Sequence, residues 1–352
     1  MGKGALRNQN PCLCGAPRKF KDCCWGLTDE QIQNKANGKV IKEAGKRANI
    51  KTCLYPDKSQ CSEGIIQAHG LQNNKILSKL SENGDVYMVD VLFGKNGPQI
   101  ELVKQGRKKA TTFTGFCGKH DTEVFSPIEN QDYETGNKMQ EALFAFRALA
   151  KEWHTKLKSK NMFDGVLKTN RNEYVLAFYE GIMLALDDIE KEMLAFQEVL
   201  LVEAPDRIST KLIVFEGEAD VAVSACITMS HDFNGKRLEH FTSHPWLTPD
   251  QLFITIFPQN GKTFCLLSYD TNATETFAFL DEQLLNKSVA EQKELLSRLV
   301  IHHSENIVYS PRYIDALSEQ QKTLLKERIT ESVGFLEDEP LLNRELGISL
   351  FT

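Results

Sequence analysis

Four of the nine cysteines lie close together near the start of the chain, as Cys12, Cys14, Cys23 and Cys24. Their spacing is C-x-C-x8-C-C. Four thiolates are enough for a closed tetrahedral zinc site, and the ion then supplies folding energy that so short a segment cannot obtain from a core. Clustered cysteines in a chain without an export signal bind metal more often than they form disulfides. We therefore predict a zinc site here.

A second group of ligand-type residues comes from two distant parts of the chain. Cys53 and Cys61 form a C-x7-C pair, and Cys117 and His120 form a C-x2-H pair where a helix is expected to begin. Structural zinc sites commonly take one pair of ligands from a loop and a second pair from the first turn of a helix. His69, at the end of a strand-like segment, could replace Cys53 as a ligand, and the spacing leaves that alternative open.

The first cluster resembles the SEC-C motif over residues 10–26. The likeness includes the proline before the first cysteine, the glycine after the second, and the basic and aromatic run at residues 18–21. The resemblance implies zinc bound by the four cysteines, and a module that contacts protein partners or nucleic acid. Arg18, Lys19 and Lys21 are candidates for phosphate contacts, and a solvated rim is the alternative.

The second group resembles an HNH-type treble clef. By this resemblance Cys53, Cys61, Cys117 and His120 hold structural zinc, and His69 takes the place of the catalytic base. If the chain is a nuclease, His69 and Asp121 would hold a divalent ion such as Mg²⁺ near the scissile phosphate.

The chain departs from the HNH pattern at several points. Ala68 stands where that family has Asp or His, and 47 residues separate His69 from Cys117. Three interpretations therefore remain, namely a zinc site without catalysis, a divergent metal-dependent endonuclease, and no metal at all. The long insert has the pattern of a β-hairpin. It ends in the basic strip Arg107, Lys108 and Lys109, which fits phosphate contacts or an exposed loop.

Charge is distributed unevenly along the chain. The net charge is −6, but residues 1–120 hold 20 Lys or Arg against 10 Asp or Glu, and the remainder holds 22 against 38. A basic front joined to an acidic body is typical of a protein that faces a polyanion. The alternative interpretation is that the basic front and the acidic body attract each other.

The periodicity of apolar residues predicts an α+β fold. Helical spacing over 139–158 and 173–202 predicts a long antiparallel helical hairpin, and later segments read as strands, with Asn260-Gly261 as a hairpin turn. Helices are expected over 29–50, 275–286, 289–301 and 319–335. A chain of 352 residues exceeds one usual core. We predict a SEC-C finger (1–27), an HNH-like zinc module with an inserted hairpin (28–130), a helical hairpin (131–205) and an antiparallel α+β domain (206–352).

Several function classes are disfavoured. The longest apolar runs are far shorter than the roughly 20 residues of a membrane span, and the first ten residues lack the apolar stretch of a secretion signal. We therefore expect a cytoplasmic protein. Cys226 and Cys265 read as core thiols, His302 and His303 as a structural pair, and no glycine-rich phosphate loop with lysine is present.

The whole chain resembles a bacterial family of SEC-C-containing proteins in segments 68–74, 115–121 and 257–263. The leading hypothesis is a cytoplasmic zinc protein that contacts nucleic acid through its basic front, with anti-phage defence as a setting. A divergent HNH-like nuclease is the first alternative. A non-catalytic adaptor whose finger binds a protein partner is the second, and self-association through the long helices stays open.

Overall fold

The structure is a computed structural model that describes residues 11–62, 64–168, 170–239, 248–331 and 340–351. The chain divides into two compact units. The first comprises Met1–Asn49, Asp90–Glu101 and Lys158–Ile182. The second comprises Ile50–Val89, Leu102–Leu157 and Met183–Thr352. Neither unit is one contiguous segment, and the four-part division made from the sequence stays a prediction.

Strands and helices occur largely in separate runs along the described residues. The strands are β1 (Ile65–His69), β2 (Asp85–Gly94), β3 (Gly97–Gly106), β4 (Thr112–Cys117), β5 (Ile208–Glu216), β6 (Val221–Thr228), β7 (Gln251–Gln259), β8 (Lys262–Asp270) and β9 (Ile307–Tyr309). The helices are α1 (Asp29–Arg47), α2 (Gly118–Glu129), α3 (Lys138–Val166), α4 (Glu173–Leu201), α5 (Val289–His303), α6 (Pro311–Ala316) and α7 (Glu319–Glu331). A π turn, Asn73–Leu77, leads into a short helical turn, Ser78–Leu80. These elements confirm the α+β class.

In the described part of the chain, seven strands form one sheet in the order β3-β2-β9-β6-β7-β8-β5. Strands β7 and β8 pair directly around the predicted Asn260-Gly261 turn, with Gln259 opposite Lys262. Both turn residues have positive φ, 52° and 77°, as this type of two-residue hairpin turn requires. Strands β7 and β8 lie in the interior of the sheet, between β6 and β5. Strand β7 is buried along nearly its whole length.

The inserted hairpin forms an edge of this sheet. Strand β2 pairs antiparallel with β9, with Tyr87 opposite Tyr309 and Met88 opposite Val308, and β3 follows as the outer strand. The sequence pattern predicts the hairpin but does not predict β9, which has only three residues.

A separate two-stranded sheet holds the second group of ligand-type residues. Strands β1 and β4 pair antiparallel, with Ile65 opposite Cys117 and His69 opposite Thr112. Helix α2 begins directly after β4. The sequence predicted the strand that ends at His69 and the helix that begins near Cys117, but it did not predict β4. The treble-clef assignment itself stays a prediction.

The two long helices run antiparallel, as predicted. In the second unit the rings of Phe146 on α3 and Phe196 on α4 are 5.5 Å apart, and in the first unit Phe163 and Phe178 stack at 5.8 Å. Residues 140–150 of α3 are all buried, which marks this stretch as a core helix surrounded on every side.

The C-terminal helices differ in part from the prediction. Over 275–286 the chain forms turns and a π-helix, Asp281–Leu285, in place of a regular helix. Helix α5 begins at a capping box made by Ser288 and Glu291. Helix α7 ends at Glu331, and the last four residues of the predicted helix lie outside the described part. No helix among the described residues is long and apolar enough to cross a membrane.

Candidate metal centres

The first centre brings together Cys12, Cys14, Cys23 and Cys24. Their sulfur atoms all lie within 4.8 Å of one another. A tight turn at Gly15, with φ of 75°, follows the first pair, and a 3₁₀ turn, Phe20–Asp22, precedes the second. The main chain closes the loop, since Cys12 N donates to Arg18 O at 3.0 Å. The predicted cluster can therefore hold a metal ion.

The sulfur spacing of the first centre fits a tetrahedral ion. The Sγ of Cys14 is 3.4 Å from that of Cys12 and 3.6 Å from that of Cys23, and the sulfurs of Cys23 and Cys24 are 3.8 Å apart. Zinc–sulfur bonds of about 2.3 Å at tetrahedral angles place ligand sulfurs about 3.8 Å apart. An ion could be bound with little movement of the chain.

Nearby donors favour the thiolate form of Cys14 in the first centre. Burial opposes ionisation of Cys14, but the main-chain N–H of Ala16 and the neighbouring thiols outweigh burial and lower the pKa of Cys14 to about 7. From α1, Lys35 Nζ donates to Cys23 Sγ at 3.4 Å and to Cys23 O at 3.0 Å. Lys39 Nζ donates to Gly15 O. Such outer contacts orient ligands and compensate their charge.

The second centre gathers Cys53, Cys61, Cys117 and His120. The Nδ1 atom of His120 lies 3.4 Å from Cys53 Sγ, 3.6 Å from Cys61 Sγ and 3.3 Å from Cys117 Sγ. Tetrahedral zinc with three thiolates and one imidazole requires nitrogen–sulfur separations of about 3.6 Å. The predicted ligand set can therefore hold a metal ion through Nδ1.

The start of α2 prepares the second centre. Cys117 is the N-cap residue, and its sulfur accepts from His120 N at 3.5 Å. Burial raises the pKa of Cys117, but hydrogen bonds from the His120 main chain and from Ser62 outweigh burial and lower the pKa to about 6. Tyr55 stacks on the His120 ring with centroids 4.2 Å apart, which fixes the imidazole orientation.

His69 does not belong to the second centre, because Cys53 occupies the ligand position for which His69 was the alternative. The Nε2 atom of His69 is buried without a hydrogen-bond partner. Burial lowers the pKa of His69, and the main chain of Arg107 and Lys108 raises it by hydrogen bonding.

Asp121 lies in the same electrostatic environment as His69. Its Oδ1 atom is buried and unpartnered, and burial raises the pKa of Asp121. Arg147 on α3 and Glu129 at the end of α2 act on the pKa of both His69 and Asp121. Arg147 donates to Glu129 and lies 4.0 Å from the centre of the Phe125 ring.

The sequence prediction missed Arg147 and Glu129. A charged residue within the long apolar pattern of α3 was the one available signal, and it did not identify a partner. Apart from the two centres, no three His, Cys, Asp or Glu side chains of the described residues bring ligand atoms within 4.8 Å of one another. Among the described residues, His69 and Asp121 thus belong to no such three-ligand group.

The residues predicted to contact phosphate differ in their exposure and in their hydrogen bonding. Arg18, Lys19 and Lys21 are exposed beside the first centre, and Lys108 and Lys109 are exposed before β4. Arg107 is engaged, because its Nη1 donates to Asn73 O and Asn73 Oδ1, both at 2.9 Å.

The remaining thiols lie in the core as predicted, and the histidine pair, which was predicted to be structural, lies at the end of α5. Cys226 and Cys265 are buried, and burial raises the pKa of both thiols. His302 is also buried, and burial lowers its pKa.

No protein-family model matches this chain, and no curated protein and no solved structure shows significant similarity to it. The likeness to the SEC-C motif and to HNH modules thus stays a prediction. What the geometry supports directly is two groups of Cys and His side chains, each able to hold a metal ion.

Proposed function

We propose that this protein binds two zinc ions and uses its basic N-terminal third to bind nucleic acid. The observation that carries the proposal is the pair of complete four-ligand groups, both of which lie in that basic third of the sequence. Three- and four-thiolate sets with tetrahedral spacing suit zinc, since magnesium and calcium prefer oxygen ligands.

Exposed cations support the choice of nucleic acid as partner. Arg18, Lys19 and Lys21 follow the first cysteine pair of the finger and lie at its surface, and Lys108 and Lys109 precede the strand that carries Cys117. Small zinc modules hold such side chains in place without a large core, and phosphate contacts by Lys and Arg give sequence-independent affinity.

Salt dependence of binding tests the proposal. The affinity of the full chain for a labelled oligonucleotide is measured from 50 to 300 mM salt, for wild type and for Lys19→Gln/Lys21→Gln. If both lysines contact phosphates, the slope of log affinity against log salt becomes shallower by about 1.5 to 2. Lys236→Gln/Lys287→Gln, which removes two exposed lysines of the acidic body, should leave the slope unchanged.

If the oligonucleotide does not bind, or if the salt slope of Lys19→Gln/Lys21→Gln equals that of wild type, the proposed contact is contradicted. If the finger binds a protein partner instead, as in the adaptor alternative, its affinity need not fall steeply as salt rises.

A second candidate function, phosphodiester hydrolysis, is favoured by one observation. His69 Nε2 and Asp121 Oδ1 are buried atoms without partners, and such atoms in natural proteins call for an explanation by function or by bound water. His69 could accept a proton from water, and Arg147 could stabilise negative charge. Because both atoms are buried, substrate would reach them only after a local movement, which ranks this candidate second.

Nuclease assays with added divalent ion test the second candidate. Cleavage by wild type that disappears in His69→Gln, while both zinc ions remain bound, would support it. Equal cleavage by wild type and variant, or no cleavage by either, would remove it.

A further inference from the structure

Two large apolar side chains lie exposed on the finger. Trp25 has 60% of its surface exposed and Leu13 has 59%. By contrast, Phe20 and Ile32 are buried and pack with the cysteines. An isolated exposed apolar residue is ordinary, but an exposed tryptophan within a basic segment calls for a partner.

The indole of Trp25 is held in a defined position. Its ring meets Phe20 edge to face, with centroids 6.3 Å apart and planes at 84°. The main-chain N–H of Trp25 donates to Phe20 O at 3.1 Å. An aromatic ring that is already positioned loses little conformational freedom when a ligand stacks on it.

Charge alone gives the finger only modest attraction for a polyanion. Arg18, Lys19 and Lys21 are offset in part by Asp22. A zinc ion with four thiolates carries a net charge of 2−, and Lys35 is already engaged with Cys23. Tight binding therefore needs a second source of affinity besides phosphate contacts.

We infer that the Trp25 surface, formed by Leu13, Arg18, Lys19, Lys21 and Trp25, binds unpaired bases of single-stranded nucleic acid. This inference rests on the proposed nucleic-acid binding and specifies its substrate class. Each base has a face on which an aromatic ring can stack, whereas in a duplex the neighbouring base pairs cover those faces. Basic side chains then hold the phosphates on either side of the stacked base.

The experiment compares two probes on the full chain, a 15-nucleotide poly(dT) strand and a 15-base-pair duplex, at one salt concentration. The variants are Trp25→Ala, Trp25→Phe and the control Tyr174→Ala, which removes an aromatic side chain that is 79% exposed elsewhere. We expect Trp25→Ala to lose about tenfold in affinity for poly(dT) and to bind the duplex as wild type does. Trp25→Phe should retain most of the affinity, and Tyr174→Ala should match wild type.

The zinc content of each variant shows whether the finger is still folded, so a loss of binding at unchanged zinc is interpretable. Tryptophan fluorescence gives an independent measure. Poly(dT) should quench the wild-type signal, and the quenching should shrink in Trp25→Phe.

The outcomes separate the inference from the function on which it rests. Equal affinity of Trp25→Ala and wild type for poly(dT), or an equal loss on both probes, overturns the inference and leaves charge-based nucleic-acid binding in place. If neither probe binds wild type, both fail. If a protein partner binds this surface and Trp25→Ala abolishes that binding while poly(dT) affinity stays unchanged, the surface belongs to the adaptor alternative.

Discussion

Lys35 is the side chain of α1 that acts most directly on the first centre. Its ammonium donates to both the sulfur and the carbonyl of Cys23. Burial lowers the pKa of Lys35, but the hydrogen bonds and charges of Cys23 and Cys24 together outweigh burial and raise it. Once four thiolates bind zinc, this cation offsets part of the net negative charge. We therefore expect Lys35→Gln to bind zinc at the first centre about tenfold more weakly.

Competition with a coloured chelator measures that change, because the chelator should release one of the two ions from the variant at a lower concentration than from wild type. Lys42→Gln on the same helix, where the lysine is exposed, should release zinc as wild type does. Identical release from both variants would show that the Lys35 contact does not stabilise the centre.

The ligands of the second centre give a prediction on stoichiometry. Cys117 and His120 lie three residues apart on the first turn of α2, and removing both leaves Cys53 and Cys61 alone. Elemental analysis of Cys117→Ser/His120→Ala should then find one zinc per chain, against two in wild type.

The control is Cys226→Ala/Cys265→Ala, which removes two buried thiols that belong to neither ligand group. It should keep two zinc ions. One ion in wild type and in the ligand variant alike would mean that the second centre does not bind zinc.

Helix α4 places a carboxyl group against the interior of the second unit. Glu192 is 3% exposed, and its Oε2 atom has no hydrogen-bond partner. Burial raises the pKa of Glu192 to about 7, with Lys191 opposing this shift and Asp270 and Asp250 adding to it. The folded protein therefore holds this proton at pH values where the unfolded chain, with a pKa of about 4.5, has released it.

The contribution of Glu192 to the stability of the protein consequently falls as pH rises from about 4.5 to 7, and this contribution is lost above 7. Replacing Glu192 by Gln removes the titration. Urea unfolding should show Glu192→Gln more stable than wild type at pH 8, by at most about 3 kcal/mol, and equal to it at pH 4. Glu190→Gln, at an exposed position of the same helix, should show no such difference. A pH-independent effect of Glu192→Gln would contradict the burial argument.

At the scale of the whole molecule, the features that the sequence predicted correctly are those that depend on short stretches. The first centre lies within 13 residues, and the Asn260-Gly261 turn needs only two residues with positive φ. The second group was found because thiols are rare and distinctive. The long helices were found because their apolar periodicity extends over many turns.

The features that were missed depend on distant pairing. Strand β9 is three residues long, and β2 reaches it across more than 200 positions, so no local pattern marks either as a partner. The environment of His69 includes Arg147 and Glu129, which reach it only through the packing of α2 and α3. The exposure of Trp25 could not be read from its type, because tryptophan in a short segment is usually assigned to the core.

The two centres differ in the size of the core around them, and this difference predicts the effect of removing metal. The first centre packs with only Phe20, Ile32 and a few partly buried side chains. In the second centre, Cys53 and Cys117 belong to an extensive hydrophobic cluster that includes Phe116 and Phe253. Loss of zinc should unfold the segment around the first centre, whose core consists mostly of the ligands. It should only loosen the segment around the second centre, which apolar burial also stabilises.

Amide hydrogen exchange with and without a strong chelator measures this difference. We expect the amides of residues 11–27 to lose their protection on chelation, because the small apolar core there does not hold that loop against its own conformational entropy without the ion. The amides of β7 and β8 should keep theirs, since their burial does not depend on metal. Equal loss of protection in both regions would mean that the second centre, too, is required for the sheet to fold, and unchanged exchange in residues 11–27 would mean that Phe20 and Ile32 stabilise the finger without zinc.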